Sequence, residues 1–550
     1  MWRLLLALGM ISAVCCESDL FRDDIRTAQA MAYIEQFRQQ QAQSQAQSQS
    51  QAESQSQSQS PQYILPVPLP TLSPVRPLQP LPPLQSPGLV NGLATQKPGS
   101  LIKPSLPAVY SNHVDQATSD QIALSVLRFA NTLVQHLGYS KTEIFSPLSI
   151  VHSLALLLLG AKGRSYEELS SVFGISDTAK LHEQFGLMLR DLQQPTLETI
   201  SPGRQVTNWR VNSPMRTNRR AQRPGAHEVH LANGIFTQTG YSLNPDYRRV
   251  IAEVYGSDLQ VQDFMGSPAT ARYNINHWVA QHTNNLIEGI ITRDIPPNTR
   301  MILANALYFK GFWETDFIES ATRPDNFYPN GEGSEPVVRV QMMATGGTFP
   351  YHEDHEMGCK IIGLPYRGNL STMYVIQPLK SSARELMALQ KRLSGDRIEY
   401  MISQMYRRSA LVAFPKMHLT ETFNLKAIMQ NMGLGGVFSS VQNDLSLIGT
   451  NEVVRTSSLG GNSLQNLEAQ RRAGLGGARS DLEVDEIAHK VDFTVNEQGT
   501  EAAASTVMYL KKSGPDVVFR GDTPFLVLLR HDPTKLVLFY GIINEPPAAA

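Results

Sequence analysis

Near the C-terminal end, the strand-forming runs "KVDFTVNE" (490–497) and "PFLVLLRHDPTKLVLFYG" (524–541) flank a segment that neither can absorb. In "GTEAAASTVMYLKKSGPD" (499–516), five of the six positions 501–506 are tiny or hydroxylated. Burying a Val, Leu or Phe side chain yields about 1.5–3 kcal/mol and an alanine far less, so the first half of this segment cannot hold a core together. A Lys-Lys-Ser sequence follows at once, and Lys or Arg is what a serine protease with an acidic specificity pocket selects. Any fold for this chain must therefore carry protease bait, led by small residues, between two strands.

Little of the N-terminal region can form a core. Residues 39–60 are a Gln/Ser tract and 61–107 are spaced with prolines, as in "LPVPLPTLSPVRPLQPLPPL". Neither buries enough apolar surface to offset the cost of ordering, so the first is expected to be disordered and the second polyproline-II-like. The proline run suits a plain spacer or an aromatic groove on a partner. The start, "MWRLLLALGMISAVCCESD", has a basic Arg3, a short apolar run and small residues before Glu17. This predicts a signal peptide over 1–16, cut near Cys15 or Cys16, with 17–112 as a low-complexity tail. The apolar run is too short to span a bilayer, which predicts a secreted, extracellular chain without a membrane partner. A formal net charge of -1 gives no global field for nucleic acid. With three cysteines in 550 residues, stability must come from a core rather than from disulfides. Cys359 is expected to be partly buried and inert.

From about Val114 the texture changes. "SDQIALSVLRFANTLVQHL" (119–137) sets apolar residues at helical spacing behind Ser119 or Asp120. "SPLSIVHSLALLLLGAKG" (146–163) predicts a buried helix capped by Ser146, with Pro147 in its first turn. "TRMILANALYFKG" (299–311) and "STMYVIQPL" (371–379) are short runs of strand formers. The mixture predicts an α+β domain over 113–546. Two stretches interrupt it. Residues 199–226 carry Arg204, Arg210, Arg216, Arg219, Arg220 and Arg223 with no acidic residue, and 450–480 are rich in Gly, Ser and Asn. Both are expected to be long inserted surface loops.

"HEDHE" (352–356) places its histidines three apart, not the four a helical zinc pair needs, which leaves a solvated polar loop and no metal. No G-x-S-x-G elbow, phosphate-cradling loop or dinucleotide fingerprint occurs, so nothing supports a hydrolase or any other enzyme, and no cofactor is implied. Asn369-Leu370-Ser371 is a glycosylation sequon for a secreted chain.

"VNEQGTEAAASTV" (495–507) closely resembles the reactive-loop hinge of the serpins, the serine protease inhibitor family. Further matches follow in serpin order: "IFSPLSI" (144–150), "LANGIFTQ" (231–238), "INHWVAQHTNNLI" (275–287) and "ILANALYFKGFWETDF" (302–317). Then come "VQMM" (340–343), "LPY" (364–366), "FPKMHLTETFNL" (414–425) and "DTPFLVLLRHDPTKLVLFYGIINEP" (522–546). The resemblance implies three β-sheets, about nine helices and an exposed reactive loop. A protease attacks such a loop as substrate; the acyl-enzyme is then trapped when the cut loop inserts as a new strand into the main sheet. By the same resemblance, the hinge comprises Glu497, Gly499, Thr500, Ala502, Ala503, Ala504 and Thr506. A "shutter" beneath the sheet corresponds to Ser146, Ser149, Asn305 and His489, and a "breach" where insertion begins corresponds to Trp313, Lys416 and Glu497.

The loop's alternation fits insertion. Thr500, Ala502, Ala504, Thr506, Met508 and Leu510 share one face, small and then apolar, while Glu501 and Lys511 lie on the other. The family's commonest hinge length sets the scissile bond at Ser513-Gly514, and a hinge one residue shorter sets it at Lys512-Ser513. A Lys-Ser pair suits a trypsin-like protease and favours Lys512, with Lys511-Lys512 a weaker option. The expected partner is a trypsin-like serine protease in covalent complex with a monomeric chain. The alternative is a non-inhibitory serpin acting as carrier, chaperone or storage protein. The tail and Lys512 also resemble arthropod haemolymph serpins that restrain clotting, melanisation or Toll-pathway proteases. The six arginines, Arg204 to Arg223, suggest a site for a heparin-like polyanion activator or for an acidic exosite on the target, beside the plainer reading of a solvated loop.

Overall fold

The computed structural model describes residues 112–137, 142–194, 197–205, 207–211, 227–439, 441–451, 462–474, 480–499 and 514–547. Two expected features, the signal peptide and the low-complexity tail up to residue 111, lie outside these residues. So do Arg216, Arg219, Arg220 and Arg223, and the loop from Thr500 to Ser513.

Among the described residues, three sheets and eleven α-helices make an α+β domain. One sheet has five strands: β1 (Glu228–Gln238), β2 (Asp258–Gln262), β3 (Met301–Lys310), β4 (Met417–Asn424) and β5 (Glu486–Val495), in the order β4-β5-β3-β1-β2. A nine-stranded sheet ends at Val517–Arg520, which pairs in parallel with Tyr406–Pro415. The third is the short pair Ser242–Leu243 and Gly449–Thr450. In sequence, residues 500–513 fall between β5, an interior strand of the five-stranded sheet, and the edge strand of the nine-stranded one.

The five-stranded sheet is covered on both faces, and its sequence shows why. In β3, "MILANALYFK", nine of ten residues are buried, as a strand packed on both sides requires. Alternation sends Ile302, Ala304 and Ala306 toward helix α4 (Pro268–His282), where they join Ile275, Trp278 and Val279. Met301, Leu303 and Leu307 face the main core with helix α1 (Pro147–Gly160), all of whose residues are buried. Two further helices, α2 (Thr178–Leu192) and α3 (Pro245–Tyr255), pack on each other beside α1.

The two interrupting stretches are not simple loops. Asn208–Val211 is helical, with Trp209 buried, and helix α5 (Ser463–Arg472) buries Leu464 and Leu467. These two helices help bring the number above the nine or so expected. "HEDHE" also departs from expectation: His352 to Asp354 end a strand, and Asp354 is buried in an ion pair with Arg397 at 2.6 Å.

Candidate functional site

The sheet has a seam. β3 and β5 run parallel in register from Ile302–Glu486 to Leu307–Val491, while each pairs antiparallel with its outer neighbour. Parallel ladders bond on a slant and are slightly weaker per residue.

Beneath the seam lies the N-terminus of α1. Ser146 caps the helix by accepting the Ser149 amide at 3.2 Å, and Pro147 takes the first position, where no amide donor is needed. The Ser146 amide donates to His489 Nε2 on β5 at 3.0 Å, which fixes the neutral tautomer protonated on Nδ1. Burial pushes His489 down to about 3, against an opposite pull from the Asn305 backbone. On the other side of the seam, Ser153 donates to Asn305 of β3, and Ser149 Oγ donates to Asn233 of β1 at 2.9 Å. Asn233 Nδ2 meets His152 Nδ1 at 2.6 Å, and His152 Nε2 meets Ser257 Oγ at 3.1 Å. Asn305 Nδ2 is buried without a hydrogen-bond partner among the described residues. All four residues of the expected shutter therefore meet here. Asn233, His152, Ser153 and Ser257 complete the cluster and were missed; the Asn-Gly in "LANGIF", opposite the Asn-Ala in "LANALY", is the signal that points to Asn233.

At the seam's far end the chain leaves β5 in a turn. Gly499 has φ +134°, and bridges antiparallel to both Asn496 and Phe312. A Cβ there would lie 2.0 Å from the Gly311 carbonyl oxygen, so only glycine fits. Trp313 is buried and stacked on Tyr366 with centroids 4.3 Å apart. Its indole donates to the Asn496 carbonyl at 2.9 Å and its amide to the Gln498 carbonyl at 3.0 Å. Glu497 pairs with Lys416 at 3.1 Å and accepts from Thr322 at 2.8 Å. Burial raises the Glu497 carboxyl, but a backbone amide, Thr322 and Lys416 outweigh it and hold the carboxyl below its usual value. The breach residues thus converge on the root of the hinge. Of the remaining hinge and reactive-bond residues, only Gly514 is described, buried with φ +86°.

The expected polyanion site needs correction. Arg204 is buried, bonded to Asp191 at 2.8 Å and to Ser119 at 2.9 Å, and Arg210 is buried against Asp532 at 2.8 Å. Both guanidiniums are buried against internal carboxylates from outside residues 199–226, so neither is turned to solvent. Arg210 also donates to Asn369 Oδ1 at 3.0 Å. Asn369 is exposed in a turn at φ +61°, beside the buried Leu370 and Ser371. Cys359 is fully buried and free, and burial pushes its thiol up to about 12.

A model of the serpin (serine protease inhibitor) family matches residues 125–546. The chain is 74% identical over 559 residues to "Serine protease inhibitor 28Dc" of Drosophila melanogaster, covering 100% of both chains. It is 27% identical to a horse (Equus caballus) leukocyte elastase inhibitor, over 78% of this chain and 100% of that one. The structure of Manduca sexta serpin-12 superposes with a TM-score of 0.59 at 24% identity, over 78% of this chain and 99% of the other.

Proposed function

The chain belongs to the serpin family, and from that premise we propose that it is a secreted suicide-substrate inhibitor of trypsin-like serine proteases. Its target would be an extracellular protease of an immune, clotting or melanisation cascade. The observation that carries this reading is the parallel seam with Gly499 seated at its end. At Gly499 the chain already runs antiparallel to the segment that follows β3. A strand continuing from there between β3 and β5 is antiparallel to both, so it replaces one parallel ladder with two antiparallel ones.

In this reading the protease serine attacks the Lys512 carbonyl, the Ser513 amine leaves, and the chain up to Lys512 stays joined to the enzyme as an ester. Insertion of 500–510 then buries Met508 and Leu510, at about 1.5–3 kcal/mol each, and adds ladder hydrogen bonds of about 0.5–1.5 kcal/mol each. That total approaches a domain's whole stability of about 5–15 kcal/mol, enough to drive a large rearrangement.

Incubation with trypsin tests the proposal. The expected result is a complex that survives SDS, together with a released C-terminal peptide starting at Ser513. Cleavage without a complex would instead support a non-inhibitory carrier, chaperone or storage serpin.

A further inference from the structure

The ladder across the seam stops short of the strands that form it. β3 runs to Lys310 and β5 to Val495, but their pairing ends at Leu307–Val491. The first residues of a strand entering from Gly499 therefore have no cross-seam ladder to break. The backbone also sets the register of such a strand. Gly499 bridges antiparallel to Phe312, and in an antiparallel pair each step forward on one strand is a step back on the other. A strand continued from there along β3 sets Thr500 opposite Gly311, Glu501 opposite Lys310 and Leu510 opposite Met301. Residues 500–510 thus end level with the first residue of β3. The same count brings Thr506 opposite Asn305, whose Nδ2 has no hydrogen-bond partner among the described residues.

Directly opposite residues point to the same face, with their Cβ atoms about 4.5–5.5 Å apart. Lys310 is the only charged residue in β3, and Glu501 is the only one in 500–510. Lys310 is half-buried, and Glu228 of β1 stands opposite it on the side away from the seam. An ammonium group carries three donors and can serve a carboxylate on each side. Opposite charges facing each other across a ladder stabilise it, and like charges destabilise it. We propose that Lys310 is a positioning residue that receives Glu501 as the loop enters, and that this ion pair fixes the register of the new strand. The proposal rests on the insertion reading above. A slip of two residues, the smallest that keeps every side chain on its own face, would set Gly499 or Ala503 beside Lys310 and lose the pair.

The test offers an acetylated synthetic peptide of residues 500–510 to the intact full-length chain and follows uptake by native electrophoresis and intact mass. Four combinations are compared: wild-type or Glu501→Lys peptide, each with wild-type or Lys310→Glu chain. Each like-charge combination is expected to be taken up about tenfold more slowly than the wild-type pair, equivalent to about 1.4 kcal/mol of barrier. The doubly exchanged combination should recover most of that loss, which a merely structural role for Lys310 would not produce. If Lys310→Glu fails to fold, Lys310→Gln carries the test and should lose most of the preference for the wild-type peptide. Equal uptake of both peptides by the wild-type chain, or no recovery in the doubly exchanged combination, overturns the pairing alone. Failure of the wild-type chain to take up the wild-type peptide overturns the insertion reading and the pairing with it.

Discussion

His489 on β5 stands directly opposite Asn305 on β3, and Asn305 stands opposite Asn233 on β1, so one polar row crosses three strands over the N-terminus of α1. Each member bonds to α1 or to its cap, and any strand entering the seam must separate the first two. Burial keeps His489 neutral, and the same holds for His152 and His182, each pushed down to about 3. The unfolded chain takes up these protons near 6.5, so their contribution is complete above that pH and falls as pH drops toward 3. By pH 5 the loss is about 2 kcal/mol per imidazole. Urea unfolding between pH 7 and 5 should show this slope, and His489→Gln should flatten it by about one proton; an unchanged slope would mean His489 is already charged.

Glu497 and Lys416 form one ion pair but should not cost the same to remove. Lys416 is nearly half exposed, and an exposed partner is worth at most about 1 kcal/mol. Glu497 is mostly buried and also accepts from Thr322, so Glu497→Ala should cost about 1–3 kcal/mol. Its carboxyl is held below the usual value, so its contribution is present above about pH 4.5 and is lost as pH falls through the folded value. Thermal melts of the two variants at pH 7 and pH 4 check both the order and the sign.

The six arginines of 199–226 should separate into two groups. Arg204→Leu strands the buried Asp191, and should destabilise the domain by about 3–5 kcal/mol. Neutralising Arg216, Arg219, Arg220 and Arg223 should leave stability within about 0.5 kcal/mol, and should weaken heparin binding if that stretch is the polyanion site. Heparin-affinity elution beside a melting curve distinguishes the groups; unaltered elution removes the polyanion reading.

The limits of the sequence reading have physical causes. That Ser146, Ser149, Asn305 and His489 lie together, and Trp313, Lys416 and Glu497 likewise, was expected from the serpin resemblance carried by "IFSPLSI", "ILANALYFKGFWETDF" and the runs around Lys416 and Glu497, not from spacing or periodicity. Arg204 and Arg210 were misread because the stretch itself holds no acidic residue, and their partners, Asp191 and Asp532, come from outside it. Helix α5 was hidden by the glycines around it. Its signs, Asn462 three residues before Gln465 and Leu464 three before Leu467, were short but present.

Lys512 should decide which protease attacks. Lys512→Ala is expected to abolish complex formation with trypsin, and Ser513→Ala to change it little, because an acidic pocket reads the residue before the cut. Intact mass of the released C-terminal peptide locates the bond. A fragment beginning at Gly514 would move it to Ser513-Gly514.

Thr500 follows directly on Gly499, whose backbone is already seated against Phe312 at the end of the seam. It is therefore the first side chain that insertion would carry between β3 and β5. In solvent an arginine side chain is fully hydrated at little cost; beneath the strands it becomes an unpaired buried charge costing several kcal/mol. Trapping is a race between insertion and hydrolysis of the acyl bond, and each tenfold slowing needs only about 1.4 kcal/mol of added barrier. Recognition at Lys512 lies twelve residues further along and should survive. Thr500→Arg should therefore still be cut by trypsin yet release it active, turning an inhibitor into a substrate. Cleaved wild type should also gain a large rise in melting temperature that the cleaved variant lacks. If Thr500→Arg traps trypsin as efficiently as wild type, loop insertion is not how this chain holds a protease, and the alanines after Glu501 serve only as a spacer.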